Sequence, residues 1–228
     1  MKLVWTAALG VVLMVSQVGA ADKALETKKD KISYIIGFDI GTNMKKQSVD
    51  VDADILLKGM KDALQGGKSA LSEEESRAIM TAFNQEMTAK RAEEAKVIGD
   101  KNKKEGEAFL AENTKKEGVK TLPSGLQYKV ITEGTGKTPK ATDTVTVQYK
   151  GTLIDGTEFD SSYKRGQAAS FPVNGVIKGW TEALQLMKEG AKWQLFIPSS
   201  LAYGERGAGA AIGPNATLIF EVELISVQ

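Results

Sequence analysis

Apolar side chains return every three or four residues along the first half of the chain and every two along the second. The change falls at Thr121-Leu-Pro-Ser-Gly125 and predicts a helical half followed by a sheet half. Ile32, Ile35, Ile36, Ile40 and Met44 make one stripe on a first helix. Ile55, Leu56, Met60 and Leu64 share a face of a second, with Asp52 or Asp54 placed to cap it and Gln65-Gly-Gly67 to end it. Ser72, with Glu75 three residues on, has capping-box spacing and opens a third helix. No proline interrupts the chain from Asp22 to Gly118, and the third helix meets no firm stop before Glu117-Gly118.

Unbroken, that helix would run about 65–70 Å. Ile79, Phe83 and Met87 mark its start, but beyond Lys90 it is mostly Ala, Glu and Lys, with Glu86–Lys90 and Glu112–Lys116 in the favourable i,i+4 order. A helix polar on all sides bridges domains, so this segment reads as a connecting arm. Gly99 and Gly106 read as weak points in it, at about 1 kcal/mol each relative to alanine. The stripes of the first two helices leave two readings open. They belong either to a small three-helix domain or to an interface with a second copy that buries Met44 and Met60.

In the second half Val145, Val147 and Tyr149 alternate with polar residues, as do Trp193, Leu195 and Ile197, and then Leu218, Phe220, Val222 and Leu224. Asp155-Gly156 marks a tight turn between extended runs. Only Val176 to Met187 reads as helix, carrying Trp180, Leu184 and Met187. The predicted class is α+β: an all-helical region over residues 21–71, a connecting helix over 72–117, and an antiparallel sheet covered by one short helix over 118–228.

The first twenty residues, MKLVWTAALGVVLMVSQVGA, have one lysine, an apolar run from Leu3 to Val15 and small residues before Ala21. They read as a signal peptide over 1–20, since the run is shorter than the roughly 20 residues a membrane span needs. The mature chain is then expected to be exported, periplasmic or associated with the outer surface, with no membrane span. Having no cysteine, it would carry neither a lipidated N-terminus nor disulfides. A net charge of +1 gives no reason to expect nucleic acid or acidic lipid as a partner.

Candidate chemistry is narrowed by what is missing. With neither histidine nor cysteine, the commonest general base and the thiol nucleophile are gone. Serine hydrolysis has no base, and the carboxylates show no metal-binding spacing. Gly204-Glu-Arg-Gly-Ala-Gly209 lacks the lysine and helix of a phosphate loop. No cofactor or metal is implied. What stands out is a set of aromatics at element ends, Tyr149, Phe159, Phe171, Trp180, Tyr203 and Phe220, able to line a concave apolar pocket.

Five ordered motifs carry a family resemblance: Val147-Gln-Tyr-Lys-Gly151, Asp155-Gly-Thr-Glu-Phe-Asp-Ser-Ser162, Val176-Ile-Lys-Gly-Trp180, Leu201-Ala-Tyr-Gly204 and Pro214-Asn-Ala-Thr-Leu-Ile-Phe220. In order and content they resemble the FKBP-type peptidyl-prolyl cis–trans isomerases. The signal peptide and long helix also resemble the exported subclass like the macrophage infectivity potentiator (Mip). The resemblance implies a half-barrel sheet wrapped about the short helix, and a homodimer joined through the N-terminal helices. It implies proline-containing polypeptides as substrates and macrolide inhibitors as ligands. By position, Trp180 would be the pocket floor and Tyr149, Phe159, Phe171 and Phe220 its walls. Val176 and Ile177 would form a rim, with the Ile177 N–H donating to a substrate carbonyl. Tyr203 would donate to another carbonyl, Ile212 would close the far side, and Asp160 would be the polar group at the edge. Gly207-Ala-Gly-Ala-Ala211 departs from the pattern, being bare where many relatives carry bulkier residues. Two further readings compete with catalysis: a holdase-type chaperone, and a module that only docks proline.

Overall fold

The structure, a computed structural model, describes residues 25–228; the expected signal peptide lies outside them. The described residues divide into two compact units, one ending at Glu73 and one running from Glu74 to Gln228.

The first unit holds α1 (Lys28–Lys46) and α2 (Ala53–Leu64). Thr27 and Asp30 close a reciprocal capping box at the start of α1. Of the two candidate caps for α2 the first is used: Asp52 accepts from the N–H groups of Asp54 and Ile55 at 2.9 and 3.0 Å. Neither helix buries a single residue. Ile32, Ile35, Ile36 and Phe38 are between 46% and 61% exposed, which is a great deal of apolar surface on one short helix.

The second unit begins with α3 (Glu73–Asn113), one continuous helix as the pattern predicts. Its C-terminal turns differ from a solvated arm, because Gly99, Gly106 and Asn113 are buried. Asn113 donates to Gln127 Oε1 at 3.0 Å, Gln127 Nε2 donates to Leu110 O at 2.9 Å, and the Phe109 and Phe196 rings lie 6.0 Å apart. Both glycines are sites of close approach: a Cβ on Gly106 would collide with Thr217, and one on Gly99 would press within 3.2 Å of Asn215 and Pro214.

Beyond α3 come β1 (Val119–Thr121), β2 (Gln127–Thr132), β3 (Thr144–Leu153), β4 (Glu158–Ser161), α4 (Ser162–Arg165), β5 (Ala169–Pro172), α5 (Lys178–Leu184), β6 (Lys192–Ile197) and β7 (Leu218–Val227). All pairings are antiparallel, in the order β1-β2-β6-β7-β3-β4, with β5 also on β3. The alternating residues predicted for the core, among them Val145, Val147, Leu195, Val222 and Leu224, are buried on one face. Helix α5 lies across that face, burying Trp180, Ala183 and Leu184. A Cβ on Gly179 would stand 2.6 Å from Ile197 Cγ2, so a glycine is what lets α5 seat so close to β6.

Glu189 ties the sheet's last strand to the segment before β3. Its carboxylate accepts from the N–H of Val227 at 2.6 Å and of Lys137 at 3.2 Å, and these bonds hold its pKa below the usual 4.5. A depressed folded-state pKa contributes stability above the unfolded value, and that contribution is lost as pH falls through the folded one. Urea titrations of Glu189→Gln should show lower stability than wild type at pH 7 and a smaller loss on acidification below pH 4.5. Equal losses in the two proteins would rule out this clamp.

Candidate functional site

Strand β3 is paired along one edge by two different strands. Val147 still faces Ala169 of β5 and Lys150 already faces Ser161 of β4, so residues 162–168 loop out opposite Gln148 and Tyr149. The Tyr149 N–H, without a strand partner there, donates to Ser162 Oγ at 2.8 Å, and that hydroxyl donates in turn to Gln148 Oε1. Ser161 caps the outlooped turn, α4, through the Lys164 N–H. The turn ends with Arg165 beside Tyr149, its guanidinium 5.3 Å from the ring centroid.

Three polar groups meet there. Tyr149 Oη donates to Asp160 Oδ2 at 2.5 Å, Arg165 Nη2 donates to Tyr149 Oη at 2.7 Å, and Arg165 Nη1 pairs with Asp160 Oδ1. Burial opposes ionisation of Asp160, but the hydrogen bonds from Tyr149 and Arg165, with the charge of Arg165, outweigh it and lower its pKa. Burial, aided by the hydrogen bond to the Asp160 carboxylate, raises the pKa of Tyr149. Arg165 was not singled out from sequence. Its signal was weak: a basic residue five positions beyond Asp160, followed by Gly166 at φ 73°, which ends the turn.

The aromatic walls follow from register. Gly151 pairs with Phe220 of β7, and Phe159 is the extra residue where the β3–β4 register shifts. A Cβ on Gly151 would lie 2.6–2.7 Å from both rings, so its bare backbone makes room for them. The Phe159 and Phe220 rings meet edge to face at 5.4 Å. Trp180 stands nearly perpendicular to Tyr149, Phe171 and Phe220, at 5.2, 5.9 and 5.2 Å. Together they surround a cavity of about 440 Å³.

Every residue expected in the pocket lines this cavity: Trp180, Tyr149, Phe159, Phe171, Phe220, Val176, Ile177, Tyr203, Ile212 and Asp160. Ile177 precedes α5 as its N-cap, and no backbone acceptor among the described residues takes its N–H. Tyr203 is 41% exposed, while Ile212 is buried. Ile212 is held by paired backbone bonds with Ala208, at 2.8 and 3.1 Å. The bare loop contributes Ala208 and Ala211 to the lining.

Comparison with known proteins agrees with this geometry. The domain amino terminal to FKBP-type peptidyl-prolyl isomerase matches residues 29–130, and the FKBP-type peptidyl-prolyl cis-trans isomerase domain matches residues 135–225. Outer membrane protein MIP of Legionella longbeachae is 49% identical over all of this chain and 98% of its own length. Peptidyl-prolyl cis-trans isomerase Mip of Coxiella burnetii is 44% identical over 96% of both. Among solved structures, FkpA from Escherichia coli superimposes with a TM-score of 0.67 at 40% identity, over 90% of this chain and 99% of that one. The peptidyl-prolyl cis-trans isomerase of Pseudomonas syringae pv. tomato gives 0.54 at 46% identity, over 57% of this chain and 95% of its own.

The three-way contact makes a specific expectation. Replacing Arg165 by leucine removes both a donor and a positive charge from Asp160, so the Asp160 titration, followed by carboxyl ¹³C NMR, should move to higher pH. An unmoved titration would show that the guanidinium does not control this carboxylate.

Proposed function

Because this chain belongs to the family of FKBP-type peptidyl-prolyl cis–trans isomerases, we propose that its pocket turns X–Pro bonds by desolvation and orientation, with no covalent step and no proton transfer. The observation that carries this reading is the cavity of about 440 Å³ floored by Trp180 and walled by aromatic rings, in a chain without histidine or cysteine.

Amide resonance sets a rotation barrier of about 18–20 kcal/mol and leaves the planar bond strongly dipolar. For X–Pro the two isomers are close in free energy, yet they exchange over roughly tens to hundreds of seconds. The twisted transition state has lost that resonance and is less dipolar. Water favours the planar amide, whereas a dry aromatic pocket favours the twisted one, and this difference between the two states is what catalysis requires. The Ile177 N–H, which no backbone acceptor among the described residues takes, and the Tyr203 hydroxyl, both at the cavity, would hold carbonyls on either side of the bond. Asp160, its charge balanced by Arg165, gives the rim a fixed field and accepts no proton. Lowering the barrier by about 5–7 kcal/mol would accelerate exchange roughly 10⁴–10⁵-fold. The same cavity would take macrolide inhibitors.

Two wider parts of the proposal concern the whole chain. The exposed apolar faces of α1 and α2 support a homodimer formed through the N-terminal helices. Export to the periplasm or outer surface is supported by the signal-like start and by the name of the Legionella relative. Among the described residues no helix is long and apolar enough to cross a membrane. The paired pockets of a dimer would also suit a folding factor that holds extended chains.

In a proline-limited refolding assay, Tyr203→Phe and Asp160→Leu should each slow the catalysed phase by about tenfold, the scale of one lost hydrogen bond to substrate or of a lost rim charge, with circular dichroism unchanged. Wild-type rates in both would remove these residues from the mechanism. Sedimentation of Phe38→Glu should give monomers where wild type gives dimers; a dimeric variant would place the interface elsewhere. Equal protection by the full chain of an aggregation-prone protein that lacks proline would make holding at least as important as catalysis.

A further inference from the structure

The last turns of α3 lie against Gly213–Thr217, and both sides of that seam are bare. A Cβ on Gly99 would stand 3.2 Å from Asn215 Nδ2 and from Pro214 Cβ. One on Gly106 would collide with Thr217 Oγ1 and stand 3.2 Å from its Cβ. From the other side, a Cβ on Gly213 would stand 3.0 Å from Asn102 Nδ2 and 3.3 Å from Ile98 Cγ2. Two amide side chains cross the seam: Asn102 Nδ2 donates to Pro214 O at 2.8 Å, and Asn215 Nδ2 donates to Gly99 O at 3.4 Å. Gly99, Asn102 and Gly106, three and four residues apart, share one face of the helix. Asn215 sits at φ 55°, a conformation that asparagine tolerates better than most residues.

The same segment is fastened to the pocket. Ile212, which lines the cavity, immediately precedes Gly213. The Asn215 N–H donates to Gly204 O at 2.8 Å, and Gly204 follows Tyr203. Thr217 leads into β7 and thus to Phe220. Clefts flank the seam on either side, but at the three glycines the two elements are in direct contact, and a close-packed contact passes displacement on instead of absorbing it.

We infer that this seam is a positioning device for the isomerase site, in which Asn102 of α3, flanked by Gly99 and Gly106, sets where Ile212 and Tyr203 stand over the pocket. Asn102 touches no substrate; it acts through the Pro214 carbonyl. Helix α3 thereby takes part in substrate selectivity, at the side chain that precedes proline and meets the pocket's rim. The inference rests on the reading of Ile212 and Tyr203 as substrate contacts.

The test measures kcat/KM of the full chain for two peptides that differ only in having Ala or Leu before proline. Asn102→Ala should lower kcat/KM about 3- to 10-fold and shift the Leu/Ala ratio by about twofold or more. Gly106→Ala should do the same, and adding Thr217→Ala, which removes the colliding hydroxyl, should return the ratio toward wild type. A merely structural role would lower the thermal midpoint and leave the ratio alone, and a wild-type ratio in folded Asn102→Ala overturns the inference. Should Gly106→Ala not fold, Asn102→Ala, which deletes one half-buried donor, decides by itself. Ile212→Ala separates the two possible failures. If it shifts the ratio and Asn102→Ala does not, only the seam fails; if Ile212→Ala leaves the ratio unchanged, the pocket assignment fails and the inference with it.

Discussion

A backbone N–H withdrawn from water needs an acceptor, and the site is organised around one that the sheet leaves over. The split pairing on one edge of β3 leaves the Tyr149 N–H without a strand acceptor there, and the Ser162 hydroxyl replaces it. Supplying that hydroxyl requires the chain to leave the sheet as α4, and leaving as α4 brings Arg165 over the Tyr149 ring. The phenol is then fixed by Asp160 and Arg165 at one end and by the rings of Phe171, Trp180 and Phe220 around its body. A local shortage of hydrogen bonds in the backbone thus fixes an aromatic wall.

The proposed chemistry needs little beyond that wall. Amide rotation moves no proton and forms no bond, so on this proposal shape and dryness would serve where other enzymes need a base. Glycines supply the shape as much as rings do. Gly151 admits Phe159 and Phe220, and Gly179 lets α5 press against β6 so that Trp180 reaches the floor. In both places the useful property is the missing side chain.

Much of this was legible in the order of residues. Period-two runs gave the inward faces of β3, β6 and β7, and the ordered motifs brought every expected pocket residue to one cavity. The helical stripes gave α1 and α2, and Asp52 caps the second, one of two candidates that composition alone could not separate. Arg165 was not legible, because a lone basic residue in a short turn looks like any solvated one until the strand pairing brings it back to Tyr149. The docking of α3 was hidden for a related reason. Its face toward Gly213–Thr217 centres on Gly99, Asn102 and Gly106, which form no apolar stripe, so there the helix reads from sequence as one that packs against nothing.

The contact of Tyr149, Asp160 and Arg165 has one more consequence. It lowers the pKa of the acid, while burial, aided by the hydrogen bond to Asp160, raises that of the phenol, and the arginine stays charged. The rim therefore keeps a single proton inventory over a wider range of acidity than its isolated side chains would. With no histidine anywhere in the chain, nothing at this site gains or loses charge in the range where that residue ordinarily titrates. A catalyst working where the cell does not buffer its surroundings would carry the same electrostatic face through mild acid and mild alkali alike.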